Sequence, residues 1–171
     1  MESGKGLLIL DVDGVLTDGT KAYGPDGKIL FKRFSDHDFT AMKKFQMDGW
    51  VVCFLSADRT VNEAVARDRG VDFWYSRDDA TGVIDKVKWL GKLSEHYNVL
   101  TNRIVYVGDD LLDVPVMKAL KVCSGRVYCP ASAVPQVRTI VHGVLNKRGG
   151  DGAVMDLYYT YYSKDDTPPS H

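Results

Sequence analysis

Two acids one residue apart, Asp11 and Asp13, end the apolar run Leu7-Leu8-Ile9-Leu10, and Gly14 follows directly. A run of this kind is a buried strand, and a carboxylate buried there without a partner costs several kcal/mol. A hard divalent cation carrying a phosphate would satisfy both acids, because Mg²⁺ takes a few carboxylates and completes its shell with substrate oxygens. Taken alone, the pair is better explained by a turn cap beside a solvated acid. Other positions shift the balance. Ser56, then Ala57-Asp58-Arg59, follows the apolar stretch 50–55; Gly108-Asp109-Asp110 follows 104–107, with Asp113 one turn later; Lys86 opens a helical stretch. Each has a plain explanation: a hydroxyl after a strand caps a helix, and a helical lysine is solvated. Together, each beside a strand end, they point to phosphate chemistry, since open parallel sheets bind ligands beyond the carboxyl ends of their strands.

The elements that must position these residues follow from hydrophobic periodicity. Strands are expected at 6–10, 50–55, 71–75 and 104–107, with short late ones at 127–128 and 140–141. Continuous apolar runs without alternation imply a parallel sheet covered on both faces, hence an α/β, Rossmann-like three-layer architecture. Helices are expected at 39–47, 60–69, 83–97, 112–120 and 152–162. In the third, Val83, Val87, Leu90 and Leu93 recur at helical spacing as a core face, with Trp89 half-buried in packing. Strand side chains alternate, so Asp11 and Asp13 can converge only where the strand ends and Gly14 lets the chain turn.

One segment breaks the alternation of strands and helices. Residues 20–23 and 28–34 flank Gly24-Pro25-Asp26-Gly27, a strong turn signal, and read as an inserted β-hairpin flap. Ile29 and Phe31 fall on one face, Leu30 and Phe34 on the other. A two-stranded hairpin apolar on both faces needs burial against something. No cap domain fits between Asp13 and Ser56, or between Ser56 and Lys86. Residues 1–162 read as a single domain, and 163–171, with Pro168 and Pro169, as a flexible tail.

Composition excludes some classes. The 171 residues carry 22 basic and 23 acidic side chains, for a net charge of −1, with no long basic block. Neither a nucleic acid nor a membrane surface is the expected partner. Cys53, Cys123 and Cys129 are odd in number and lack zinc spacing, which fits a reduced, cytoplasmic protein. No apolar stretch reaches membrane-spanning length, and no secretory leader is expected.

The constellation resembles the haloacid dehalogenase superfamily of phosphotransferases. Its first motif stands here as Asp11-Val12-Asp13-Gly14-Val15-Leu16-Thr17, its second as Ser56, its third as Lys86 and its fourth as Gly108 through Asp113. Over about residues 6–160 the chain is similar to the capless phosphatases of phosphorylated 2-keto-3-deoxy sugar acids, the eight- and nine-carbon ulosonate phosphates. That similarity rests on Asp-Gly-Val-Leu-Thr-Asp-Gly at 13–19, the hairpin, Gly-Asp-Asp-Leu-Leu-Asp-Val-Pro-Val-Met at 108–117, and Lys-Arg-Gly-Gly-Asp-Gly-Ala-Val at 147–154. Two features depart from the subfamily: Ser56-Ala57 stands where Thr-Gly is usual, and 76–80 reads as an insertion near the substrate rim.

The resemblance implies Asp11 as a nucleophile forming an aspartyl-phosphate and Asp13 as general acid, then general base. It implies Mg²⁺ held by Asp11, the Asp13 backbone carbonyl and Asp109, with Asp110 and Asp113 orienting Asp109 or bound water. Ser56, Ala57 and Lys86 would hold the phosphoryl group, Lys86 also compensating transition-state charge. Asp58 and Arg59 either meet the leaving group or are a solvated helix start; Arg148 is a weaker candidate. A homotetramer assembled through the hairpin is also implied, with neighbours covering each other's sites. The alternatives are another small phosphate ester, a polynucleotide 3′-phosphate, a phospho-receiver domain, and a non-catalytic oligomerisation module. The receiver needs its aspartate at the third strand, where this chain has Tyr75-Ser76.

Overall fold

The computed structural model describes residues 6–162; the expected tail at 163–171 lies outside the described residues. In chain order the strands are β1 (Gly6–Leu10), β2 (Ala22–Tyr23), β3 (Ile29–Phe31), β4 (Trp50–Ser56), β5 (Asp72–Tyr75), β6 (Ile104–Val107), β7 (Arg126–Cys129) and β8 (Gly143–Val144). The helices are α1 (Asp36–Met47), α2 (Thr60–Arg69), α3 (Val87–Tyr97), α4 (Val114–Val122), α5 (Pro135–Arg138) and α6 (Ala153–Leu157). Six strands form one sheet in the order β5-β4-β1-β6-β7-β8, every pairing parallel. The α/β, Rossmann-like expectation holds. The chain runs outward from β1 through β4 to β5, then returns to place β6 on the other side of β1. That reversal opens a crevice at the carboxyl ends of β1, β4 and β6.

Burial on both faces explains the unbroken apolar runs. All five residues of β1 are fully buried. Leu8 and Leu10 join Val52, Phe54, Val105 and Val107 against Met42 and Phe45 of α1 and Val154 and Leu157 of α6. Leu7 and Ile9 join Cys53, Leu55, Tyr106 and Val127 against Leu93 of α3 and Val116, Met117 and Leu120 of α4.

Helix ends follow local chemistry. Ser35 caps α1, accepting from the His37 N–H, so the helix begins three residues before the apolar pattern indicates. Gly70, with φ +65°, closes α2 where a side chain would be strained. The α6 helix has glycine at its N-cap, and α1 supplies the missing acceptor: the buried Asp38 accepts from Gly152 N–H at 3.2 Å and Val154 N–H at 2.8 Å. This cross-helix cap ties the C-terminal helix to the first one.

Three expectations need correction. Helix α3 starts at Val87 rather than 83, because Val83 belongs to a loop whose Arg77 and Ile84 form an isolated antiparallel bridge. Val83 is therefore 59% exposed, Val87 39%, and only Leu90 and Leu93 of the four are core. The last strand is 143–144 rather than 140–141: Ile140 still closes the turn after α5, and sheet bonding begins with the His142 N–H on Val127 O. The hairpin's faces also differ from simple alternation. Its pairing shifts register at Ala22/Tyr23, and Phe34 lies beyond β3, bridged to Thr17 and stacked on Phe39 at 5.7 Å. Leu30 and Phe31, expected on opposite faces, are 64% and 63% exposed.

Replacing Asp38 with alanine strands two buried N–H donors at the start of α6. The expected loss is about 2–3 kcal/mol, seen as a lower urea midpoint at unchanged slope. An unchanged midpoint would show that water replaces the carboxylate.

Candidate active site

The chain leaves β1 through a tight loop that aims both acids at the crevice. Val15, Leu16 and Thr17 all donate their N–H groups to the Val12 carbonyl at 2.9–3.2 Å, and Thr17 Oγ1 accepts from Gly14 and Gly19 N–H. Gly14 holds φ +84°, and a Cβ there would collide with the Asp109 carboxylate. Behind the loop, Gly149 packs so closely on the Gly14 carbonyl that it too has no room for a Cβ, while Gly150 N–H donates to Val15 O. The glycines of 147–154 thus buttress the loop that carries Asp11 and Asp13.

One half of the site is organised around Lys86. This residue stands at the N-cap of α3 and is almost wholly buried. Its Nζ lies 2.7 Å from Asp113 Oδ1, 3.0 Å from Asp11 Oδ2 and 3.2 Å from the Tyr106 hydroxyl. Burial pulls the Lys86 ammonium down, but Asp11 and Asp113 outweigh it and hold it above the usual lysine range. Burial pushes Asp11 up to about 7 against the pull of Lys86, with the Asp113 charge adding to the rise. Asp109 is pushed to about 8 by burial and by the charges of Asp11, Asp113 and Asp110. For Asp113 burial is overcome by Lys86 and by hydrogen bonds, leaving it below the ordinary carboxylate range.

The other half is organised around Lys32, which sequence reasoning missed. Its side chain is fully buried. Nζ lies 2.7 Å from Asp13 Oδ1 and donates to Asp13 Oδ2 at 3.0 Å, Asp58 Oδ2 at 2.8 Å and Asn62 Oδ1 at 2.9 Å. Asn62 Nδ2 donates to Asp13 Oδ2 at 3.1 Å and Ser56 Oγ at 3.0 Å. Lys21 adds a bond to Asp58 at 2.9 Å. Asp58 is held below the ordinary carboxylate range: its burial acts upward, and Lys32 and Lys21 outweigh it.

A cavity of about 290 Å³ opens between these halves, lined by Asp11, Asp13, Ser56, Ala57, Lys86 and Asp109 among others. Arg77, from the loop after β5, also lines it, with Nε on the Ala57 carbonyl and Nη1 on that of Gly82. Arg59 instead stacks on Tyr75 at 4.0 Å and pairs with Asp79, and the exposed Arg148 does not line the cavity. Asp58 reaches the cavity as a partner of two lysines rather than as a solvated helix start. Asp110 lines the rim and accepts from Leu111 N–H. Missed residues had faint signals: Lys32 interrupts an apolar strand, Asn62 stands on a helix six residues after Ser56, and Tyr106 is the one hydroxyl in an aliphatic run.

The donor set fits a divalent cation. Oxygens of Asp11, Asp109 and Asp113 lie within 4.8 Å of one another. Asp113 is already engaged: Oδ1 by Lys86 and Tyr106, Oδ2 by the N–H groups of Asp109 and Asp110. Asp109 Oδ1, by contrast, is buried without a hydrogen-bond partner among the described residues. Asp11 and Asp109 are thus the carboxylates left for a metal, and Asp113 fixes the loop that carries Asp109.

No protein-family model matches the chain. The sequence is 30% identical over 158 residues to the 3-deoxy-D-manno-octulosonate 8-phosphate phosphatase KdsC of Escherichia coli K12, covering 88% of this chain and 76% of that protein. It is 29% identical over 152 residues to KdsC of Haemophilus influenzae, covering 88% and 79%. The cobalt-bound form of the deoxy-D-mannose-octulosonate 8-phosphate phosphatase of Haemophilus influenzae is similar in structure, with a TM-score of 0.76 at 30% identity over 91% of this chain and 85% of that one. Among the described residues no helix is long and apolar enough to cross a membrane.

The raised acids set a pH dependence for the metal-free protein. Asp11 and Asp109 bind protons more tightly folded than unfolded, at about 7 and about 8 against an ordinary 3.8. Their contribution to stability is fully present below about pH 4 and is lost as pH rises through 7 to 8. Urea midpoints measured in EDTA should fall over that window, and saturating Mg²⁺ should flatten the fall. A metal-free midpoint rising from pH 5 to 8 would contradict this electrostatic picture.

Proposed function

We propose, for a chain that belongs to the haloacid-dehalogenase-type family of KdsC phosphatases, that it hydrolyses the phosphate of a phosphorylated 2-keto-3-deoxy sugar acid, 3-deoxy-D-manno-octulosonate 8-phosphate or a close ulosonate relative. It is a phosphoric monoester hydrolase. The observation that carries the mechanism is the Asp11 carboxylate, buried at a strand tip beside Lys86 and facing the cavity.

Asp11 attacks phosphorus, the P–O bond to the sugar breaks, and an aspartyl-phosphate forms. Asp13 gives a proton to the departing alcohol oxygen, then takes one from the water that attacks the aspartyl-phosphate, which restores Asp11 and frees phosphate. Ser56 Oγ already accepts from Asp58 N–H and Asn62 Nδ2, so its one proton is left to donate to a phosphoryl oxygen. Lys86 supplies positive charge to the same group. Asp11, Asp109 and the Asp13 carbonyl would hold Mg²⁺, which neutralises phosphoryl charge when bound. Arg77 and Lys21 stand at the rim, where a sugar-acid tail would lie.

Replacing Asp11 with asparagine should lower kcat by at least roughly 10⁴-fold while leaving the circular dichroism unchanged. EDTA should stop turnover and Mg²⁺ restore it. Across ulosonate 8- and 9-phosphates, hexose 6-phosphates and nucleotides, kcat/KM should be highest for an ulosonate ester. A preference for hexose phosphates would refute the substrate class while leaving the phosphatase chemistry standing.

The hairpin supports a tetramer in which neighbours close each other's sites. Tyr23, Leu30 and Phe31 together leave large apolar surface exposed on a two-stranded ribbon. Solution mass should be about four times 19.0 kDa. Leu30→Asp with Phe31→Asp should dissociate it, and ulosonate phosphate hydrolysis should fall more than that of p-nitrophenyl phosphate. A monomeric parent protein would exclude the assembly.

A further inference from the structure

The buried lysine of the hairpin has no role in the chemistry so far described. Lys32 has three ammonium donors, and three acceptors surround it at 2.8–3.0 Å: Asp13 Oδ2, Asp58 Oδ2 and Asn62 Oδ1. Its side chain is fully buried and does not line the cavity. A phosphate ligand would need a donor facing the substrate, and Lys32 presents none. A packing lysine would need no carboxylate from the reacting pair, yet the nearest oxygen to Lys32 is that of Asp13, at 2.7 Å.

From this geometry we propose, on the mechanism given above, that Lys32 is the positioning residue of the acid–base group, with Asn62 as its auxiliary. A carboxylate on a chain turn can rotate about its side-chain bonds, and a proton relay works only within hydrogen-bond reach of the leaving oxygen. Lys32 contacts both Asp13 oxygens, and Asn62 Nδ2 adds a second donor to Oδ2. Both donors bond to Oδ2, while Oδ1 lies buried at 2.7 Å from the ammonium without a hydrogen bond of its own among the described residues, so the carboxylate is held in one rotamer from both oxygens. The same Asn62 amide donates to Ser56 Oγ, so the phosphate-binding hydroxyl and the acid are set by one side chain. Asp58 balances the second charge: with Lys21 it completes a cluster of two lysines and two aspartates, which lets an ammonium stay buried beside Asp13. Lys32 directly follows β3, so the hairpin reaches into its own subunit's site.

The test uses leaving groups that differ in their need for a proton. Lys32→Met and Asn62→Ala are compared with the parent enzyme on an ulosonate or other alkyl phosphate and on p-nitrophenyl phosphate, by rapid quench with Mg²⁺ saturating. For Lys32→Met, single-turnover alcohol release should slow by roughly 100-fold, as expected when a general acid is displaced. Nitrophenolate leaves unaided, so its first-turnover burst should fall less than about tenfold and precede a slow steady state in which phosphoenzyme accumulates. The substrate concentration that half-saturates the single-turnover rate, and Mn²⁺ affinity read by electron paramagnetic resonance, should stay within about twofold, whereas a merely structural lysine would move both leaving groups alike. Asn62→Ala, which keeps the ammonium, should show the same pattern at smaller size and decides the matter where Lys32→Met does not fold. Equal slowing of both esters, or a loss confined to substrate or metal affinity, overturns the positioning role and leaves the phosphatase reading intact. A parent enzyme inactive on every phosphate ester overturns both.

Discussion

The contacts of Lys86 with Asp113 at 2.7 Å and Asp11 at 3.0 Å are the constraint around which the rest of the site is arranged. Three carboxylates converge on the end of the central strand, and one ammonium cannot neutralise them. Burial pushes Asp11 and Asp109 upward, and the excess negative charge adds to the rise. A cluster of this kind resists folding unless its members have distinct partners, and the structure provides them. Asp113 takes four donors and is saturated, Asp11 shares Lys86, and Asp109 retains a bare buried oxygen. The arrangement therefore suits a small dication: Asp11 and Asp109 would hold it, and its charge would offset the repulsion that the lysine leaves.

The acid side repeats this logic with a different partner set. Lys32 lies between Asp13 and Asp58 as Lys86 lies between Asp11 and Asp113, each with one neutral side chain as its third acceptor, Asn62 or Tyr106. The difference is balance. Lys21 brings the Lys32 cluster to two charges of each sign, so it needs no cation, whereas the Lys86 cluster is short of one. Asp11 and Asp13, on one turn, are thereby placed in contrasting fields, one in an acid-rich cluster beside Asp109 and the other in a charge-balanced one.

Much of this was legible in the sequence because strand-end chemistry is local. An apolar run ending in Asp11-Val12-Asp13-Gly14 fixes the face, depth and direction of those side chains within a few residues, and Ser56 and Asp109 follow the same rule. Lys86 was legible as a site residue but misplaced on its helix, since Val83 and Val87 mimic a core stripe although a bridged loop precedes α3. Lys32, Asn62 and Lys21 were not legible, because each reaches the site from an element whose register is set only by tertiary packing. A lysine inside a hairpin reads as an exposed edge charge until the hairpin's angle to the sheet is known. The strand at 140–141 failed for a related reason: β-branched residues at the end of a turn have strand propensity, while an edge pair forms only where the neighbour offers open bonding groups.

The hairpin carries two kinds of residue on adjacent positions, and their separation has a consequence for how assembly and chemistry relate. Leu30 and Phe31 face outward, whereas Lys32 is fully buried and Phe34 stacks on Phe39. The inward anchors are made entirely within one chain: an ammonium on three acceptors and an aromatic pair against α1. A ribbon held at its base in this way keeps its outer apolar residues in a fixed place before any partner arrives, which lowers the ordering cost of association. The same anchors hold Asp13 whether or not the outer face is covered. The support of Asp13 is thus complete within one chain, and the outward apolar residues are left for other contacts, so the hairpin serves both without sharing a side chain.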